Sequence, residues 1–383
     1  MQAVPLSLYV HFPWCVKKCP YCDFNSHPLP EVLPEQAYVD ALILDLGQQL
    51  EAVPERPLTS VFMGGGTPSL IAPLQIRRLL DTLRSSGRLV QDAEITLEAN
   101  PGTLDETRFE DYLLAGVNRL SIGVQSFDDA MLAGIGRIHS SAQAGRAIAR
   151  AAQAGFERIN LDLIFGLPRQ SVEQACSDLD QAMETGVEHL SLYQLTIEPN
   201  TEFACRPPEE LPDSDLCWSM QGTLQQRLSA AGYQQYEVSA YSHNARCRHN
   251  VNYWQYGDYL AIGAGAHGKV SRVDRDGALS ISRYWNHRHP KAYLQAVENA
   301  DFCAQQSSVQ AASRDFEFLM NALRMVEGFS LPMYEQRTGG EESRLLEKLE
   351  PLFDKGWLER EGSSVRASAQ GFRFLDSVLL ELV

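Results

Sequence analysis

Apolar and polar positions in the first two-thirds of the chain follow two alternating periods. Short runs at Leu6–His11, Thr59–Met63, Glu94–Glu98, Arg119–Gly123, Arg158–Ile164 and His189–Leu195 have the composition of strands. Between them lie longer stretches with helical spacing. Pro34–Glu51 places Tyr38, Leu42, Leu46 and Leu50 at four-residue steps on one face. Ile71–Ser85, Leu104–Ala115, Ala142–Ala154 and Val172–Thr185 also read as helices, and Gly116, Gly155 and Gly186 stand where the last three end. Strands alternating with helices predict an α/β fold with a parallel sheet and right-handed crossovers. The expected architecture over residues 1–240 is a partial six-stranded TIM-like (β/α) barrel, with a doubly wound open sheet as the alternative.

The pattern changes near Ala240. Tyr241–Gly268 is rich in Asn, His, aromatic residues and Gly, and Gly277–Pro290 reads as a loop or short hairpin, so 241–312 is expected to be a connecting segment. Helical spacing returns at Phe316–Met325, Leu331–Thr338 and Leu345–Lys355. A hairpin turning at Gly362-Ser363 and a last helix from Gln370 follow. Helices followed by a two-stranded wing predict a winged-helix-like α+β domain over 313–383. Such a module commonly binds DNA, but its recognition segment, Glu341–Asp354, is acidic, which favours a cap or lid.

Composition narrows the function. The net charge of −16 opposes nucleic-acid binding, and the basic clusters at Arg77-Arg78 and Arg283–Lys291 are weak. No apolar run reaches the roughly eighteen residues that suggest a membrane span. Met1–Pro13 lacks a basic region followed by an apolar core, so no secretory signal is expected. Cys176, Cys205, Cys217, Cys247 and Cys303 are scattered, as in a reduced, cytoplasmic compartment.

The distinctive polar residues gather at one end of the predicted strands. Cys15, Cys19 and Cys22, spaced C-x3-C-x2-C, follow the first strand, and Gly64-Gly65-Gly66-Thr67-Pro68 follows the second. Glu98 and Asn100 end the third, Gln125 and Ser126 the fourth. Asp162 lies within the fifth, ahead of Gly166-Leu167-Pro168, and Tyr193 and Gln194 lie towards the end of the sixth. In a barrel the C-terminal ends of the strands build the active site. Three thiolates can hold three irons of a cubane cluster and leave the fourth iron open to a small molecule. A zinc site completed by His11 or His27 is the alternative. The glycines let backbone approach a ligand closely, or form a plain tight turn. Asp162, in an otherwise apolar strand, needs a partner. Tyr9 and Tyr21 flank the cysteine loop and suit either ligand packing or core filling.

These residues resemble the radical S-adenosylmethionine (SAM) superfamily, in the branch of oxygen-independent coproporphyrinogen III oxidase and its relatives. The marks are Tyr9 to Cys15, Gly64 to Pro68, Glu98 to Pro101, Ser121 to Phe127, Gly136 to His139 and Asn160 to Pro168. The resemblance implies a [4Fe–4S] cluster on Cys15, Cys19 and Cys22. It also implies SAM contacts from Tyr9, Gly65, Gly66, Thr67, Glu98, Gln125, Arg137 and Asp162, with Tyr21 packing nearby.

Two departures from the oxidase pattern stand out. The oxidase carries a further cysteine where this chain has Phe24, and a long extension ahead of the cluster, for which fourteen residues leave no room. The run His249-Asn250-Val251-Asn252-Tyr253-Trp254 instead matches H-N-x-x-Y-W, a mark of haem-carrying members of the family. That resemblance implies haem near His249, delivered to an acceptor protein such as a membrane-associated respiratory enzyme. Cys247, His243 and His267 remain alternative iron ligands. The competing readings are a SAM-cleaving porphyrinogen oxidase and a zinc-bearing winged-helix regulator.

Overall fold

The computed structural model describes residues 4–53, 56–102 and 108–382. Its core is a twelve-stranded sheet. Six strands form the parallel part: β1 (Leu6–Phe12), β2 (Leu58–Gly65), β3 (Leu89–Ala99), β4 (Arg119–Gln125), β5 (Ile159–Phe165) and β6 (His189–Gln194). The remaining six are β7 (Gln234–Gln235), β8 (Ala240–Ser242), β9 (Asp258–Ile262), β10 (His267–Val273), β11 (Leu279–Asn286) and β12 (Cys303–Ser308). The order is β12-β11-β10-β9-β1-β2-β3-β4-β5-β6-β8-β7, so the 241–312 segment extends the sheet beyond β1. β9 runs parallel to β1, and β10 to β12 follow as an antiparallel meander.

Each parallel strand alternates between two environments. Leu8, Val10, Val61, Met63, Leu97, Ile122, Leu161 and Leu190 point outward and form one apolar core with the flanking helices. Residues of the other parity, such as Ser7, Tyr9, Ser60, Glu98, Ser121, Asp162 and Ser191, therefore face the hollow of the sheet. The helices start and stop on local signals. Ser140 with Gln143, and Ser171 with Gln174, form capping boxes, and Gly116 ends the helix Phe109–Ala115 in the left-handed conformation at φ 105°. The start expected for that last helix, at Leu104, lies outside the described residues.

Two helices that the sequence reading passed over shape the site. Ser214–Ala230 packs Met220, Leu224 and Leu228 against the barrel. Arg248–Trp254 sits inside the hollow, where Asn252 donates to Ser7 Oγ at 3.0 Å and the ring of His249 lies 5.0 Å from that of Phe62. The C-terminal region has its own core of Phe318, Leu319, Leu345, Leu349, Val365 and others, around the helices Ala311–Ala322, Leu331–Thr338 and Glu342–Asp354. Its wing consists of β13 (Phe329–Ser330), β14 (Leu358–Glu361) and β15 (Ser364–Ala367). Tyr256 and Ile281 from the preceding segment enter this core, and Arg283 pairs with Glu317 at 2.6 Å. No helix among the described residues is long and apolar enough to cross a membrane.

Candidate functional site

The C-terminal ends of the parallel strands surround a cavity of about 390 Å³. Cys15, Cys19, Tyr21, Cys22, Gly65, Gly66, Glu98, Gln125, Arg137 and Asp162 all line it. Of the remaining sequence-predicted residues, Thr67 lies just behind this wall, while Tyr9 and His249 line an adjoining cleft.

The cysteine loop is tied down on three sides. Thr67 Oγ1 approaches Cys15 Sγ at 3.6 Å, and Arg137 Nη1 approaches Cys19 Sγ at 3.4 Å. Arg137 Nη2 donates to Gly123 O at 2.6 Å and to Asn100 Oδ1 at 2.7 Å, and Asn100 Nδ2 donates to Thr67 Oγ1 at 2.9 Å. One asparagine thus joins the arginine to the glycine loop. A Cβ on Gly136 would stand 2.7 Å from Pro20 Cδ, so only glycine lets the Gly136-Arg137 turn press on the loop.

The glycine run is likewise shaped by close approach. A Cβ on Gly66 would lie 2.5 Å from Trp14 O and 2.8 Å from Phe12 O. Gly65 has φ +108°, and its added Cβ would strike the His11 ring at 2.4 Å. Only glycine lets this run press against β1 and the Trp14 backbone, with its own backbone left at the cavity wall. The Gly65 N–H donates to Glu98 Oε2 at 3.2 Å. Burial, the negative charge of Asp162 and that single hydrogen bond leave the Glu98 carboxyl raised to about 8. Asp162 accepts from Asn160 Nδ2 at 2.9 Å and Ser121 Oγ at 3.2 Å, and burial raises its pKa as well. Two carboxyls held towards their neutral forms suit a cationic ligand, which would restore their charge. Gln125 takes φ +68° at a register shift between β4 and β5, a strained conformation for a non-glycine residue.

A single zinc ion would need its thiolates about 2.3 Å away. Among the described residues no three His, Cys, Asp or Glu side chains are placed to hold one metal ion. His11 is also committed: its Nε2 bonds Asn25 O at 2.8 Å and its Nδ1 bonds Tyr9 OH at 3.0 Å. Three thiols lining one cavity with a glycine run and two carboxyls instead fit a cubane cluster with SAM beside it.

The His249 helix borders a second, aromatic cleft of about 750 Å³, which shares Phe24, Phe62, Glu98 and Tyr193 with the first cavity. His249 is 8% exposed, lies 6.3 Å from Tyr9 ring to ring, and has no hydrogen-bond partner for Nδ1. Burial lowers its pKa to about 4, so the imidazole is neutral. Trp254 Nε1 is likewise buried without a partner. Cys247 is fully buried with Sγ donating to Glu94 Oε1 at 3.5 Å, and the His243 ring lies tilted against Tyr233, 3.8 Å between centroids, with Nδ1 bonded to Gly232 O. Neither of these two lines the cleft, whereas His267 does.

Sequence reasoning missed Arg119, Asn160 and Ser191, which also line the cavity. The alternation of β4 to β6 carries the signal, because all three share parity with Ser121, Asp162 and Tyr193.

Fold and site define a radical SAM protein, in which a [4Fe–4S] cluster and SAM are the cofactors. The Radical SAM superfamily profile matches residues 9–182, and the HemN C-terminal domain profile matches residues 311–374. Coproporphyrinogen III oxidase (HemN) from Escherichia coli superposes with a TM-score of 0.82 at 22% identity, over 99% of this chain and 90% of that one. The Escherichia coli protein named heme chaperone HemW is 46% identical over 98% of this chain and 97% of its own length. A Mycobacterium tuberculosis protein of the same name is 33% identical over 100% of this chain and 96% of its own. The chain belongs to the HemW family of radical SAM proteins.

Proposed function

We propose that this protein is a haem chaperone. It holds a [4Fe–4S] cluster on Cys15, Cys19 and Cys22 and SAM against Gly65, Gly66, Glu98, Gln125, Arg137 and Asp162. Haem is bound beside the His249 helix and passed to an acceptor protein. The observation that carries this reading is the aromatic cleft, walled by the His249 helix and continuous with the cluster cavity. An extended porphyrin is matched by concave aromatic walls and a neutral imidazole. The name shared by full-length relatives, heme chaperone, points the same way.

Bound together, cluster and SAM supply one-electron chemistry, which here serves to gate haem transfer. The chain's own part is to hold both next to the haem. The acceptor we favour is a membrane-associated respiratory enzyme met at the cytoplasmic face.

The test pairs a haem titration of the anaerobically reconstituted protein with a coproporphyrinogen III turnover assay containing SAM and reductant. Stoichiometric haem uptake without turnover is the expected result. Turnover to protoporphyrinogen without haem retention would make the protein an oxidase.

A further inference from the structure

The aromatic cleft has two histidines, and the structure treats them differently. His249 is pressed into the hollow against Phe62, with its Nδ1 shut off from solvent. His267, at the start of β10, is exposed, and its ring lies parallel to that of Trp285 at 5.6 Å and 16°. A nitrogen can reach a porphyrin iron only if the space in front of it is open. The Trp285 stack holds the His267 ring from one face and leaves its edge free.

The rim beside His267 carries positive charge in a chain of net charge −16. Arg288 is exposed at the cleft, and its guanidinium has no hydrogen bond or ion pair among the described residues. Its backbone is fixed, because Asn25 Nδ2 donates to Arg288 O at 2.8 Å and to Ala264 O at 2.9 Å. Lys18 Nζ donates to Phe24 O at 3.0 Å, setting a second cation on the cysteine loop, whose Phe24 lines the cleft. A planar apolar ligand with carboxylates at one edge fits aromatic walls inside and cations outside.

We propose that haem lies in this cleft with its iron on His267 and a propionate on Arg288, while His249 is a packing residue of the inner wall. This rests on the haem-chaperone reading and assigns the site that reading leaves open. Desolvation by the cleft wall and the nearby Arg283 and Arg288 push the His267 imidazole below its ordinary range, towards the neutral form that has a free lone pair.

The experiment titrates the cluster-loaded full chain with ferric haem, iron-free protoporphyrin and haem dimethyl ester, following the Soret band. His267→Gly is expected to weaken haem binding at least about tenfold and to change the ligand spectrum, with added imidazole restoring it. Its affinity for iron-free protoporphyrin is expected to stay at the parent value. Arg288→Gln is expected to weaken haem but not the dimethyl ester, and His249→Phe is expected to keep the parent ligand spectrum. A parent that takes up haem while His267→Gly binds it with unchanged spectrum and affinity would overturn the placement alone. Equal losses for haem and iron-free porphyrin would overturn His267 as ligand, and equal losses for haem and its ester would overturn Arg288 as propionate partner. A parent that takes up no haem would overturn the functional reading and the placement together.

Discussion

Glu98 offers a quantitative test of the SAM cavity. Its carboxyl is raised to about 8, first by burial and then by Asp162. A group with that pKa is ionised only about a tenth of the time at neutral pH. SAM carries a permanent sulfonium charge, so the cavity that favours it has Glu98 ionised. The sign follows: the empty site binds an extra proton that the loaded site must lose, and affinity rises with pH until Glu98 is ionised without help. If only the ionised form binds, affinity increases about fiftyfold from about pH 6 to about pH 8 and then levels. Glu98→Gln keeps an acceptor for the Gly65 N–H but cannot ionise. Its SAM affinity should be flat with pH and close to that of the parent at the acid end. Equilibrium dialysis of the reconstituted protein with labelled SAM, with cluster absorbance monitored at each pH, measures both profiles. Parallel profiles for parent and Glu98→Gln would refute the pairing, because the pH dependence would then belong to another group.

Gly66→Ala should lower thermal stability by about 1–3 kcal/mol and reduce cluster loading, since its Cβ meets the backbone oxygens of Trp14 and Phe12 at 2.5 and 2.8 Å; calorimetry and iron analysis check it. Changing Cys15, Cys19 or Cys22 to Ala should abolish the brown [4Fe–4S] absorbance after reconstitution, and an unchanged spectrum would remove that residue from the cluster. Asp45→Ala should cost about 3 kcal/mol in a denaturant titration. It would leave Tyr293 OH, 2.7 Å from its Oδ2, without an acceptor, and would take one of two acceptors from Asn286 Nδ2 and from the Gly263 N–H, now 2.8 and 3.3 Å away.

The strands and the cavity were legible because they share one rule. A parallel sheet that hides apolar residues outside and polar residues inside shows period-two alternation, and every inward polar residue near a strand's end becomes a site candidate. Position near a strand's C-terminal end exposed Glu98, Gln125 and Asp162 together, and periodicity placed the strands. Periodicity failed for Arg248–Trp254, because the buried face of that helix is His249 and Asn252, and a polar buried face leaves no apolar period to read. Ser214–Ala230 was within reach, since Cys217, Met220, Leu224 and Leu228 keep helical spacing. The aromatic cleft was not, because Phe24, Tyr193, Tyr253 and Trp285 come from four distant segments and meet only after β9 to β11 join the sheet.

The cysteine loop belongs to both cavities, which makes cluster and haem binding interdependent. Asp23 and Phe24 line each of them. Asn25 is fixed by His11 at 2.8 Å and fixes Ala264 and Arg288 in turn, so the haem-side hairpin hangs on a loop that the cluster anchors at Cys15, Cys19 and Cys22. Removing the cluster frees that loop at three points and leaves only hydrogen bonds to hold it, among them those of Asn25, His27 N–H to Pro13 O and Phe203 N–H to Pro20 O. Haem affinity should therefore fall when the cluster is stripped by anaerobic chelation, and fall again in Asn25→Ala, whose cluster should still load. Tryptophan quenching by haem, read on cluster-loaded, stripped and Asn25→Ala protein, separates the two effects, since Trp254 and Trp285 line the cleft. Equal haem affinity in all three would mean that the loop is rigid without its cluster, and that the two sites share a wall but no energy.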